Sequence, residues 1–425
     1  TQPTGDFLDR LTLPATAPIP REIAGCFDRS RGYGPNLVAT GPFMIEGSDD
    51  LDPTSCDSLT PAAGFDPSKR LSLVRNPDYD PATDDPGIRD PGFDRYRFSI
   101  QEDPNKTLTR LEKGRVDLST GDVGIDTLRR YVSDPQLRNR LHVEQDDRLW
   151  YLAMNLTEPP FDDLHVRRAV NLVMDKDLLQ RAWGGAIQGE IATHILPDSL
   201  VDEPGLDPYA SHHHEGDVAA ARREMRRSRY DHDDDGRCDA AVCRGVLHVT
   251  RTDGQWESLD DVVTESLAKI GIELDTRVPD DPYGYITTAR SPMAITSLPS
   301  WVKDYPDPFA ILGFLMSGAN ITATDNYNYS LVGLTKATAE RLHVAYPRGG
   351  VPSVDAEIAR CESILVNSDR QTCWSALDRR VMLDVAPWVP YLSATRRIIT
   401  SDRVEFVFDG AAGEVSFAHL GLRSP

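Results

Sequence analysis

An α/β fold spread over two or more lobes is what this sequence predicts, and three observations predict it. The chain has 425 residues, whereas a single hydrophobic core usually stops growing near ~250 to 300 residues and then divides. Stretches that alternate polar and apolar residues, as half-buried strands do, are interleaved with stretches of helical apolar spacing. Between residues 245 and 278 the order is strand, helix, strand, which favours parallel pairing in a sheet covered by helices.

In chain order, the opening is rich in turns, with Gly32-Tyr33-Gly34-Pro35 and Asp52-Pro53 set among strand-like pieces such as Arg70 to Val74. Arg95 to Ile100 alternates as a half-buried strand should. Thr107 to Lys113 reads as a short helix ended by Gly114, and Val116-Asp117-Leu118 starts the next strand. Val166 to Trp183 carries apolar residues at helical spacing up to Gly184-Gly185. Asp217 to Arg227 and Leu259 to Ile270 read as further amphipathic helices, the last flanked by strands Gly245 to Thr250 and Ile272 to Val278. The polar stretch from Asp198 to Gly216 reads as a long surface connection. Its His212-His213-His214 run and the Arg-rich piece Arg222 to Arg229 are most simply solvated.

The apolar fraction, 40%, is ordinary for a globular chain, but the formal charge of −21 is far from balanced. Such a field makes nucleic acid a poor partner and suits solubility in a crowded or salty exterior. Phe309 to Met316, the longest apolar run, is far short of the ~20 residues that span a bilayer. Thr1 opens the chain without an initiator Met, a basic-then-apolar leader or an early Cys, so an export signal or lipid anchor is expected outside it.

The six cysteines fall into sequence-local couples: Cys26 with Cys56, Cys238 with Cys243, and Cys361 with Cys373. None lies in a CxxC or a Cys/His cluster with zinc spacing, so disulfides in an oxidising compartment outrank a metal site. Local pairing is the expectation, with six buried thiols as the alternative.

Several segments, in order and widely spaced, are more specific than periodicity. The first is Gly5-Asp6-Phe7-Leu8 through Ala17-Pro18-Ile19-Pro20, followed by Ala39-Thr40-Gly41-Pro42-Phe43, Arg75-Asn76-Pro77-Asp78-Tyr79 and Leu111 to Asp117. The strongest block is Met154-Asn155, Pro159-Pro160-Phe161-Asp162-Asp163 and Val166-Arg167-Arg168-Ala169-Val170, continued by Met174-Asp175-Lys176. Here prolines stiffen a crossing between lobes and an acidic residue can cap the helix that follows. Together these segments resemble the extracellular solute-binding proteins of family 5, and the match extends to Ala386 to Tyr391, similar to that family's return crossing.

The resemblance implies a two-lobed, periplasmic-binding-protein-like α/β fold of the peptide-binding class (type II), here without the family's opening section. Residues 1–158 are then the remainder of lobe I, 159–386 lobe II and 387–425 the return to lobe I. It further implies an extracellular, cell-surface or periplasmic monomer that binds peptides between its lobes and hands them to the permease of an ABC transporter, without catalysis. Oligosaccharides and nickel complexes are alternative cargoes, and a calcium-stabilised signalling module is a non-transport alternative. A secreted hydrolase is disfavoured because no Gly-x-Ser-x-Gly, His-Glu-x-x-His or phosphate-binding glycine loop occurs.

Within this resemblance, Trp301-Val302-Lys303-Asp304-Tyr305-Pro306-Asp307-Pro308 is similar to the family's ligand segment. By carry-over Asp304 would hold a peptide's α-ammonium, Trp301 would form the adjoining wall, and Tyr305 is a weaker candidate. A carboxylate stays ionised at neutral pH, and its bond to an ammonium is strengthened in a low-dielectric cleft. Asp307 before Pro308 is the natural cap of a helix Phe309 to Met316. Asn326 and Asn328, in the stretch Asp325 to Ser330, offer amides that could pair with a peptide backbone.

A second site rests on spacing alone. Asp231, Asp233, Asp235, Arg237 through its carbonyl and Asp239 stand at positions 1, 3, 5, 7 and 9 of an Asp-x-Asp-x-Asp-Gly calcium loop. Val242 replaces the bidentate Glu at position 12, so the loop is not a full EF-hand, and the alternative is a solvated acidic turn. A structural calcium is the expectation, with no catalytic cofactor.

Overall fold

Alternation and helical spacing translate into elements wherever caps and turns agree with them. The structure, a computed structural model, describes residues 3–27, 32–89, 92–100, 103–252 and 254–423. The chain divides into two units: Thr1–Leu13 with Gln145–Thr395, and Pro14–Glu144 with Arg396–Pro425. From the sequence, the changes are expected at 158/159 and 386/387. The boundaries fall inside the strands Leu141–Met154 and Trp388–Thr400, where uninterrupted extended backbone gives no turn signal to read. The opening residues group with 145–395, not with the rest of the first lobe.

In the smaller unit, the strand Arg70–Arg75 pairs antiparallel with Arg95–Ser99, with Phe43–Ile45 and with Phe65–Asp66. The two short motifs of this region meet there. The Asn76 side-chain amide donates to the carbonyls of Ala39 (3.3 Å) and Gly41 (2.9 Å), so Arg-Asn-Pro holds the Thr-Gly-Pro turn that launches Phe43. The helix Pro104–Glu112 starts on the Asp103 carboxylate, which accepts from the Asn105 amide, and ends at Gly114 with φ +66°. Cys26 and Cys56 are joined, as expected.

In the larger unit, Arg244–Val249 and Glu273–Arg277 pair in parallel, with the helix Trp256–Ala268 between them in sequence. This is the predicted pairing. Ile295–Thr296 adds to the first of these in parallel and joins it to Leu141–Met154, to which it is antiparallel. The core is continuous across this sheet and its helices, and includes Tyr151, Met154, Phe161, Val170, Leu259, Leu312, Trp374 and Trp388, all fully or almost fully buried. Each such large side chain contributes on the order of 2 kcal/mol through burial. Cys238–Cys243 and Cys361–Cys373 close here.

The Asn/Pro-Pro-Phe/Val-Arg block lies inside this unit and acts as a fastener. The Asn155 side-chain amide donates to Met293 O at 3.1 Å, and its oxygen accepts from the Thr157 amide. The buried Arg167 guanidinium donates to the carbonyls of Phe161 and Val385, both at 2.7 Å, and desolvation brings its pKa down to about 10. One arginine thus joins the first motif to the chain just before Ala386-Pro387.

Two helices differ from expectation. Val166 to Trp183 is two helices, Leu164–Val173 and Lys176–Trp183, because Met174 is extended and the Asp175 carboxylate caps the second by accepting from the Leu178 amide. The run Phe309 to Met316 is a 3₁₀ turn, Pro308–Ala310, and a one-turn helix, Leu312–Leu315, broken at Ile311. Apolar spacing alone cannot register a cap inside a periodic stretch.

The buried His194 stands between two carboxylates, with Nδ1 2.7 Å from Asp378 and Nε2 3.0 Å from Asp198. Desolvation lowers its pKa, but the hydrogen bonds and charges of Asp378 and Asp198 outweigh it and leave the pKa above 6.5. A pKa raised by folding adds stability that is complete below the unfolded value and is lost as pH rises through the folded one. His194→Asn should therefore lose more unfolding free energy at about pH 5.5 than at about pH 8.5 in denaturant titrations.

Candidate functional site

Ser300–Trp301 is a short strand seated on the long one: Ser300 pairs with Trp150 and Trp301 with Leu149. The ladder fixes where the segment Trp301 to Pro308 begins, and buried ion pairs fix the rest. Lys303 Nζ lies 2.5 Å from Asp147 Oδ2, both residues being buried. The Tyr305 hydroxyl donates to Asp6 Oδ2 at 2.9 Å, and the pKa of this tyrosine is pushed well up by burial and the carboxylate. Asp307 accepts from the Phe309 amide at 2.9 Å, which is the predicted cap, and also from Arg370 Nε at 3.0 Å.

Asp304 is the exception in this sequence of paired groups. Its side chain is exposed and has no hydrogen bond or ion pair among the described residues. Burial of its surroundings is the sole cause that raises its pKa. A carboxylate left without a cation can form a charge-assisted bond to an incoming ammonium.

Trp301 is held by its indole N–H, which donates to Ala310 O at 3.1 Å. Its ring stacks on Phe314 with centroids 5.3 Å apart and meets Tyr327 at 5.5 Å. Phe314 and Tyr327 remain 38% and 37% exposed, so three aromatic rings form one partly open wall. Sequence reasoning missed Phe314, which looked like one more apolar residue of a helix.

The amides chosen from the sequence are turned the other way. Asn328 is buried, its amide donates to Val332 O at 2.8 Å and Ser317 O at 3.3 Å, and its oxygen accepts from the Val332 amide at 3.0 Å. Asn326 is equally buried and donates to Asn328 O at 3.1 Å. Both asparagines serve the loop's own backbone, while the intervening Tyr327 faces outward. Tyr305 is likewise buried and engaged with Asp6. Of the five ligand candidates, Asp304 and Trp301 thus keep accessible chemistry.

In the acidic loop, Asp231, Asp233 and Asp235 each bring a carboxylate oxygen within 4.8 Å of the others. Asp231 Oδ2 accepts from the Gly236 amide at 2.8 Å, while its Oδ1 is buried and has no hydrogen-bond partner among the described residues. Gly236 has φ +86°, and a Cβ there would meet Arg222, so glycine is required. Asp239 is drawn aside: its Oδ1 accepts from the His232 amide and lies 3.0 Å from His232 Nδ1. The Arg237 side chain points to Ala268 O. The His212 and His213 rings lie against each other and His214 lies near Asp207, at 3.8 Å, apart from this loop.

With this geometry in view, the comparisons with known proteins are consistent. The family model "Bacterial extracellular solute-binding proteins, family 5 Middle" matches residues 1–323, and the chain belongs to that family. Among curated relatives, it is similar to a di/tripeptide-binding protein 1 of Pseudomonas aeruginosa, 26% identical over 251 residues, which are 56% of this chain and 41% of that protein. It is similar also to the glutathione-binding protein GsiB of Salmonella typhimurium, 24% identical over 54% of this chain and 38% of the relative. The chain thus matches less than half the length of these relatives.

Among solved structures, a clavulanic acid biosynthesis oligopeptide binding protein 2 superposes with TM-score 0.78 at 26% identity, over all of this chain and 69% of that one. The ABC transporter-associated periplasmic binding protein DppA of Helicobacter pylori, in complex with the peptide STSA, superposes with TM-score 0.65 at 17% identity, over all of this chain and 71% of that one. The α/β binding-protein fold is therefore the fold of this chain.

The opposite orientations of neighbouring residues 327 and 328 make a prediction. Asn328→Ala should lower the unfolding free energy by about 2 to 3 kcal/mol, since it strands buried backbone partners, whereas Tyr327→Ala should cost about 1 kcal/mol or less. Denaturant titration of the two variants checks this.

Proposed function

We propose that this chain is part of a non-catalytic peptide-binding protein that captures peptides with a free amino terminus outside the cytoplasm for a membrane permease of the ABC type. The observation that carries the reading is Asp304: every other ionic group of its segment is matched by a protein partner, and this one is left for a ligand. The α-ammonium of a peptide supplies a compact charge with three donors, and its bond to a carboxylate is charge-assisted. Trp301, Phe314 and Tyr327 provide an apolar wall that tolerates different side chains. The peptide-binding relatives and the acidic, disulfide-bonded composition support the cargo class and the compartment.

Isothermal calorimetry with one short peptide and its N-acetylated form tests the assignment. Asp304→Ala should weaken binding of the free-amino peptide on the order of tenfold to a hundredfold and leave the acetylated peptide little changed. Affinity of the wild type for the free-amino peptide should also fall with pH through the raised pKa of Asp304. Equal losses for both peptides would remove Asp304 from the role, and tight binding of an oligosaccharide or a nickel complex in their place would change the cargo.

We infer further that the 231–239 loop holds calcium as a structural ion. The convergence of three carboxylates and the unpartnered Asp231 Oδ1 favour it, and Asp231, Asp233 and Asp235 would be its side-chain ligands. Calcium at a hundredfold excess over its dissociation constant should raise unfolding free energy by about 2.7 kcal/mol. Asp233→Asn should abolish most of that gain, and a denaturation midpoint indifferent to calcium and to chelator would discard the site.

A further inference from the structure

The segment that carries Asp304 is fastened from one side by the beginning of the chain. Asp6, 1% exposed, accepts from the Tyr305 hydroxyl at 2.9 Å and from Arg10 Nε at 2.8 Å on the same oxygen, Oδ2. Arg10 continues to Glu362 at 2.8 Å and lies over the Phe309 ring, 4.8 Å from its centroid. Arg370 joins Asp307, at 3.0 Å, to Asp9, at 3.6 Å. The Gly5 amide donates to Glu362 O, and a Cβ on Gly5 would lie 2.2 Å from Ile364 O, so the backbone is pressed against this wall of the unit.

These contacts place two anchors, Tyr305 and Asp307, on the C-terminal side of Asp304, and Lys303 with Asp147 places a third on the other. Among the described residues Asp304 itself has none. Its position is therefore inherited from its neighbours, and the side chain of the immediate neighbour Tyr305 is held by the hydrogen bond that its hydroxyl donates to Asp6.

We propose that Asp6 is a positioning residue for ligand binding: through the Tyr305 hydroxyl it holds the backbone at residue 304 so that the Asp304 carboxylate is pre-aimed at a ligand's ammonium. This rests on the reading of Asp304 as the ammonium partner. The physical basis is preorganisation. A carboxylate already fixed in its bound orientation loses little freedom on meeting its cation, while one on a loosened segment must be ordered by the ligand. The charge on Asp6 matters because a hydroxyl bonded to a carboxylate is held about twice as strongly as one bonded to a neutral amide.

The test uses the whole chain and two peptides, one with a free amino terminus and its N-acetylated form, and reads the ratio of their affinities by calorimetry. Tyr305→Phe removes the hydroxyl and keeps the ring; Asp6→Asn keeps the shape and removes the charge. Each should cut the preference for the free-amino peptide about tenfold, and the double variant should cut it no further, because both changes break the same link. The denaturation midpoint is measured alongside. A purely structural role would lower that midpoint and leave the ratio where it was, and an unchanged ratio in Tyr305→Phe would overturn the proposal even if Asp6→Asn fails to fold.

Asp304→Ala in the same series separates the two claims. If it abolishes a preference that Tyr305→Phe and Asp6→Asn leave intact, the positioning role fails and the ammonium site stands. If the wild type shows no preference to begin with, both fail together.

Discussion

A charge withdrawn from water must meet an opposite charge, or it costs several kilocalories per mole. In this protein that constraint shapes the stretch from Trp301 to Pro308 and everything proposed for it. Lys303 is matched by Asp147 and Asp307 by Arg370, while Asp6 meets Arg10 and accepts from the neutral Tyr305 hydroxyl. The pairs lock the segment onto a strand, onto the opening residues and onto the helix Asn367–Arg380. What they leave over is a single carboxylate, Asp304, and the proposed binding role rests on that remainder.

The same economy appears in the fasteners of the larger unit. Arg167 is buried and gives its donors to the carbonyls of Phe161 and Val385, so the most recognisable block of the sequence serves the fold. Asn155 does likewise for the loop at Met293. Side chains that serve backbone partners differ from those left open, and hydrogen-bond partners distinguish them where sequence position cannot.

Much of the fold was legible in the sequence. Parallel pairing of Arg244–Val249 with Glu273–Arg277 follows from the helix between them, and the three disulfides follow from local spacing. The single helix expected over Val166 to Trp183 failed because Asp175, within the periodic stretch, starts a second one. Asp304 and Trp301, read as ligand candidates from one ordered segment, were found accessible. Asn326 and Asn328 were not, because in Asn-Tyr-Asn-Tyr the direction of each side chain depends on the loop's own hydrogen bonds, and here both amides turn inward. Asp6 was illegible as a partner of Tyr305, since nearly three hundred positions separate them and only the folded chain joins them.

The central claim is that the ligand is a peptide with a free amino terminus. Native mass spectrometry of the protein purified from its producing cells, with fragmentation of whatever stays bound, tests it most directly. Release of short peptides carrying unblocked amino termini is the predicted result. A bound oligosaccharide or metal chelate, or peptides that are all blocked at the amino end, would contradict the account.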